Sequence, residues 1–187
     1  MSERWVFGFE DIDDARTAVG GDWEDVRALL GGKGANLADM AALGIPVPPG
    51  FTITTRACNR FAELGNQLPE GLWVEIKHYL ERVMSHTARV FGGTHNPLLV
   101  AVRSGAKFSM PGMMDTVLNL GLTDQIVTAL ARKSNKRCAY DPYRRFIQLF
   151  GAVVTALHRH AYGGRRWGFE VRRAPWLWVS SSSLPQP

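Results

Sequence analysis

The sequence predicts an α+β fold, a mixed sheet with helices packed on it, and three observations predict it. Short apolar or β-branched runs recur at Val6–Phe9, Phe51–Thr55, Leu98–Ser104 and Val117–Leu120, each the size of a strand. Between them lie one-sided helical patterns, the longest carrying Leu72, Ile76, Tyr79, Leu80, Val83 and Val90. Hydrophobic residues make up 45% of the 187 residues, which is enough for a core and argues against global disorder.

Taken in order, Val6–Phe9 reads as a short strand followed by an acidic loop. Leu37, Met40, Ala41 and Gly44 fall at helical spacing, so a helix is expected over 35–43, ended by Gly44 in a left-handed turn. Ile45-Pro-Val-Pro-Pro-Gly50 is too proline-rich for regular structure. Phe51–Thr55 alternates and is β-branched, a strand, and Thr55 is placed to cap a helix running to Leu64. After a Leu68–Gly71 turn, the amphipathic pattern predicts a helix over 70–90. Leu98–Ser104 is continuously apolar up to its last residues, as in a buried strand. Val117–Leu120 is a second strand. Thr123 caps a short helix to Ala131, and Asp141-Pro142 opens another with the proline in its first turn.

Composition bounds the function. The net charge is +5, but its distribution is uneven. From His158 onward there are five arginines (159, 165, 166, 172 and 173) against Glu170, whereas the first 157 residues carry 17 cations and 16 acids. The basicity belongs to the tail. Five arginines interleaved with Trp and Phe permit non-specific phosphate contact and base stacking, but the tail holds no recognised nucleic-acid motif, so nucleic acid is not the expected partner. No apolar run approaches the ~18 residues of a membrane span. The start, MSERWVFGFEDIDD, lacks a cationic, then apolar, secretory leader. A cytoplasmic protein with no membrane partner is expected, its two cysteines, Cys58 and Cys138, free and reduced.

Two stretches carry candidate chemistry. Gly31-Gly-Lys33-Gly34 precedes a helix; small residues admit an anion to the backbone, and a helix start offers amides to it. It is not a P-loop, because Arg27 and Gly34 stand where that motif needs Gly and Ser or Thr. A glycine-rich turn with a solvated lysine is the alternative. The second stretch is VRSGAKFSMPGMMDTVLNLG, residues 102–121. Arg103 ends the buried strand, where a guanidinium can grip phosphate with two parallel hydrogen bonds. Ser104, Lys107 and Ser109 add donors, Gly105 and Gly112 permit close approach, and Asp115 can orient a cation. A hairpin loop with an exposed cation pair is the alternative, and Met110, Met113 and Met114 read as packing residues. Both stretches put cations on glycine-rich backbone, and a nucleotide triphosphate is the ligand this suggests.

Three blocks, GGKGANLADMAALGIPVPPGFTITT, NPLLVAVRSGAKFSMPGMMDTVLNLGL and YDPYRRFIQLFG, together resemble the N-terminal part of the pyruvate, phosphate dikinases, in the same order. The likeness runs from Val6 to Val154. Phosphoenolpyruvate synthases and rifamycin phosphotransferases are similar in the first block and the Val-Arg-Ser core, but continue with an acidic run. The Gly-Ala-Lys-Phe-Ser-Met-Pro-Gly-Met-Met-Asp-Thr continuation points to the dikinases. The resemblance implies the N-terminal part of an ATP-grasp nucleotide-binding domain with ATP as substrate and Mg²⁺ between its oxygens. The family transfers phosphate from ATP through a phosphohistidine to pyruvate, giving phosphoenolpyruvate, AMP and diphosphate. Lys33 and Arg103 match the family's phosphate-contacting residues, and the loop 105–114 would close over the phosphates, a largely electrostatic catalysis.

The family's proteins are several times longer, and full-length members oligomerise. Their Mg²⁺-binding carboxylates, phosphohistidine and pyruvate-binding barrel are expected outside this chain. None of His78, His86, His95, His158 and His160 lies in a context like the phosphorylated one. His158 and His160 have no third ligand nearby, so no metal site is expected. No catalytic residue is therefore assigned within this fragment. Residues 1–155 are expected to be a partial nucleotide-binding domain. Residues 156–187, rich in Arg, Trp and Ser and unlike the family, are expected to be a poorly ordered tail of out-of-frame or replaced origin. If that tail packs, its tryptophans would cover apolar surface. Three readings stand: an ATP-binding portion inactive alone, a subunit completed in trans, and a non-catalytic phosphate- or nucleic-acid-binding module using the basic tail.

Overall fold

The computed structural model describes residues 3–105, 116–161 and 176–182. Its elements in chain order are β1 (Val6–Gly8), α1 (Ile12–Val19), α2 (Trp23–Ala42), β2 (Gly50–Ile53), α3 (Thr55–Glu63), α4 (Leu72–Thr87), β3 (Val90–Phe91), β4 (Pro97–Gly105), β5 (Thr116–Leu120), α5 (Asp124–Lys133), α6 (Lys136–Ala161) and β6 (Trp176–Ser182). The strands form one mixed sheet in the order β1-β2-β6-β4-β3, with β5 also paired to β4. Every pairing is antiparallel except β3 with β4. The α+β expectation, a mixed sheet with packed helices, holds.

The alternation of a strand assigns its residues to two faces. Val6, Phe51, Leu98 and Val100 share one face and pack against Leu72, Tyr79 and Val83 of α4. Phe7 lies on the other face against α1 and α2, through Ile12, Ala15, Val26, Leu29 and Leu30. Leu99, beside Leu98 but on the opposite face, meets Ile126 and Val127 of α5 and Ala139 of α6. Burying a side chain of this size stabilises by about 1.5–3 kcal/mol, so β4 alone ties together two helical layers.

Several element boundaries differ from the sequence expectation, each for a local reason. The acidic loop after β1 is helix α1: Ile12 and Ala15 are buried three residues apart, and Gly20 ends the helix at φ 90°. Helix α2 begins at Trp23 rather than 35, because Asp22 accepts a hydrogen bond from the Glu24 amide and starts it early. Thr54, not Thr55, caps α3, accepting from the Ala57 amide at 3.3 Å. Helix α6 begins at Lys136, where the Asn135 side chain accepts from the Cys138 amide at 2.8 Å. Pro142 therefore stands inside the helix, removing one backbone donor. Thr123 caps α5 as expected.

Within residues 156–187 the described backbone comprises the end of α6, to Ala161, and β6, which lies between β2 and β4. The sequence of β6, WLWVSSS, opens with aromatic and β-branched residues suited to a strand. No helix among the described residues is long and apolar enough to cross a membrane.

Candidate nucleotide-phosphate site

Helix α2 is two helical segments joined at Gly31, whose backbone sits at φ 71° and ψ 156°. That conformation is open to glycine and strained for other residues. A second helix start therefore falls at Gly32-Lys33-Gly34, with the amide ends of the first turn and the positive end of the helix dipole. The sequence expectation of a helix start at this glycine run holds, although the helix resumes there rather than beginning.

Gly34 brings this start against the sheet. A Cβ at Gly34 would lie 2.7 Å from Thr52 Oγ1 and 2.9 Å from Thr52 Cγ2, closer than atoms pack. Thr52 is thus on the α2 face of β2. The register carries that face across the sheet: Thr52 is opposite Trp178 of β6, and Trp178 is opposite Arg103 of β4. Arg103 accordingly belongs to the face that α2 covers, and it is exposed there. Lys33 closes the geometry. Its ammonium donates to the carbonyl oxygen of Ser104 at 3.4 Å, a long hydrogen bond that uses one of its three donors.

Lys33 and the end of β4 that carries Arg103, 70 residues on in sequence, therefore share one side of the molecule. Ser104 is buried, 2% exposed, and Gly105 is the last residue of β4. Lys107, Ser109, Gly112 and Asp115 lie outside the described residues. Thr52 was not singled out from the sequence. It is 2% exposed, and its hydroxyl oxygen has no hydrogen-bond partner among the described residues. The alternation of FTITT was the available signal, since it puts Thr52 and Phe51 on opposite faces.

Two concavities among the described residues are lined by other side chains. One, of about 460 Å³, is an open apolar groove along α6 bordered by Tyr140, Tyr143, Arg144 and Ile147. The other, of about 280 Å³, lies between α2 and α3 at Asp25, Leu29, Thr55 and Arg56. Neither places a cation pair over glycine-rich backbone, so the chemistry of the Lys33 site rests on its contacts rather than on its depth. The described residues hold no group of three or more His, Cys, Asp or Glu side chains arranged for a metal. Burial pushes the Cys58 thiol up to about 11, so it stays protonated and unreactive at neutral pH.

Comparison with known proteins identifies the family of the chain. Residues 27–85, which include the glycine run and β2, match the family described as "Pyruvate phosphate dikinase, AMP/ATP-binding domain". A pyruvate, phosphate dikinase from Entamoeba histolytica is 50% identical over 158 residues, 84% of this chain and 17% of the relative. One from Rhizobium meliloti is 51% identical over 160 residues, 85% of this chain and 17% of the relative. The chloroplastic enzyme of Flaveria pringlei is 55% identical over 134 residues, 72% of this chain and 14% of the relative. The chain thus spans no more than 17% of the length of these relatives. It belongs to the pyruvate phosphate dikinase family and carries part of that family's N-terminal AMP/ATP-binding domain.

Proposed function

We propose that this chain holds the phosphates of ATP between Lys33 and Arg103, as one wall of a nucleotide site whose remaining walls belong to other parts of the family's proteins. The observation that carries this reading is the Lys33 ammonium resting on the Ser104 carbonyl, next in sequence to Arg103. A polyanion entering there replaces a weak carbonyl contact with charge-assisted hydrogen bonds, roughly twice as strong as neutral ones. Arg103 supplies a planar fork for two phosphate oxygens. Amides at the resumed start of α2 add fixed dipoles. Ser104, Gly105, Lys107, Ser109, Gly112 and Asp115 form the flanking loop in this proposal, the cations adding charge and the glycines allowing the loop to approach the phosphates.

In the whole protein the reaction would carry a phosphoryl group from ATP through a phosphohistidine to pyruvate. Mg²⁺ would supply charge neutralisation between phosphate oxygens, held by carboxylates outside this chain. Lys33 and Arg103 would stabilise the charge on the transferring group. The isolated chain binds ATP weakly and does not convert pyruvate.

Calorimetric titration tests the grip. ATP and inorganic tripolyphosphate are expected to bind the intact chain, and Lys33→Met and Arg103→Met each to weaken both ligands by about tenfold, equivalent to about 1.4 kcal/mol. Equal binding by all three proteins would remove the two side chains from the site. A coupled assay for phosphoenolpyruvate formation tests the second statement, and robust turnover by this chain alone would refute it.

A further inference from the structure

The position of β6 in the sheet has a consequence independent of any nucleotide. Strands β2 and β4 are not hydrogen-bonded to each other; β6 lies between them. It pairs antiparallel with both: Gly50, Phe51 and Thr52 on one side, and every residue from Leu99 to Gly105 on the other. Without β6, β2 and β4 would stand two strand spacings apart, about 9.5 Å, each with a row of unpaired amides and carbonyls. With β6 in place these rows lie inside the sheet. Phe51 is 1%, Thr52 2%, Val100 1% and Ala101 4% exposed, and buried backbone groups left unpaired cost about 1–3 kcal/mol each.

Both walls of this gap are held by elements other than β6. Helix α4 packs on Phe51 of β2 and on Leu98 and Val100 of β4. On the opposite face α2 touches Thr52 through Gly34 and Ser104 through Lys33. The far edge of β4 is taken by β3 and β5. The sheet is therefore complete on each side of one missing strand, and helices hold the two parts at a fixed separation.

We infer that the gap between β2 and β4 is a strand-acceptor slot, and that residues 176–182 of the tail are a separable donor strand that fills it. The partner the slot fits is an extended peptide of about seven residues, entering antiparallel to both walls and recognised mainly through main-chain hydrogen bonds. The tail supplies that peptide within the same chain. Its part is to complete the sheet, and a peptide of the same sequence can take its place.

The test uses the full chain with Val179→Pro, which removes an amide from the middle of a strand paired on both sides. Amide hydrogen exchange is followed at Phe51, Leu99, Ala101 and Arg103, the positions whose main chain faces β6 in the alternation of the two ladders, with and without a synthetic peptide of residues 174–183. In the unaltered chain these amides should be protected. The substitution should speed their exchange by at least about tenfold, while amides of α4 change by less than about threefold. The peptide should restore protection, and the same peptide carrying the proline should not. If the variant is insoluble, it is refolded with each peptide; recovery with the unaltered peptide alone supports the slot. Three results overturn the inference: fast exchange at Ala101 and Arg103 in the unaltered chain, exchange unchanged by Val179→Pro, or no response of the variant to the peptide.

Discussion

At the scale of single residues, Gly34 shows how one absent side chain positions a site. Its role comes from the approach of β2 rather than from a special backbone angle. Thr52 is β-branched, stiff at χ1 and held in a strand paired on both sides, so it cannot yield to a new methyl. Gly34→Ala should therefore cost about 1–3 kcal/mol as an overpacked contact and weaken ATP binding by lifting the helix start away from β4. Thermal unfolding and ATP titration of the variant check both effects. A stable variant with unchanged ATP affinity would separate Gly34 from the site. Lys33 and Arg103 were legible as candidates because cations beside glycine and at a strand end are a recognisable pattern. Thr52 was not, because a threonine in a β-branched run carries no mark of what lies above it. Its hydroxyl becomes notable only when the helix brings Gly34 against it and the oxygen is left without a partner.

At the scale of elements, the start of the chain is fastened to α4 by a polar cluster that periodicity could not reveal. Asp11 accepts from the Gly8 amide at 3.0 Å and from the Tyr79 hydroxyl at 2.5 Å, and pairs with Arg4 at 2.7 Å. Arg4 also reaches Asp14 and the Tyr79 oxygen. Glu75 accepts from the amides of Trp5 and Val6 at 2.8 and 2.9 Å. Burial acts to raise the pKa of Asp11, but the Tyr79 hydroxyl, the Gly8 amide, Arg82 and Arg4 outweigh it and hold the carboxyl below its ordinary value. A carboxyl lowered in the folded state contributes stability that is present above its unfolded pKa of about 3.9 and is lost as pH falls below it. The chain should therefore keep a stability plateau above about pH 4 and lose this contribution in stronger acid. Asp11→Asn should be less stable near neutrality by about 1.5–3 kcal/mol, the range for hydrogen bonds to a charged group. The deficit should narrow as pH drops through the lowered pKa. Denaturant melts of both proteins at several pH values measure it; a deficit constant down to pH 2 would mean that the charge of Asp11 contributes nothing. The helices α4 and α5 were legible because their apolar spacing is long or their caps are clear. Helix α1 was not, since Ile12 and Ala15 are two small signals among four acids, and polar composition dominated the reading.

At the scale of the whole molecule, the sheet's strand order was the least legible feature. Order depends on which strands meet across long separations in sequence, and nothing in WLWVSSS names β2 and β4 as its neighbours. The two-faced character of β4 was only half legible. A continuous apolar run announced burial on both faces, but not which helices would cover each. The structure makes β4 the element shared by both layers, with Leu98 facing α4 and Leu99 facing α5 and α6. This shared strand determines how the protein should unfold. If the layers were separate units, a cavity under one would loosen that layer and leave the other intact. Because both rest on adjacent residues of one strand, Leu98→Ala and Leu99→Ala should each destabilise by about 2–5 kcal/mol and lower the midpoints of far-ultraviolet and near-ultraviolet circular dichroism together, as one cooperative transition. Midpoints that separate in either variant would mean that the α4 layer and the α5–α6 layer melt independently. The strand would then join two units rather than hold one core, and the register that places Arg103 on the face covered by α2 would lose the rigidity a phosphate grip requires.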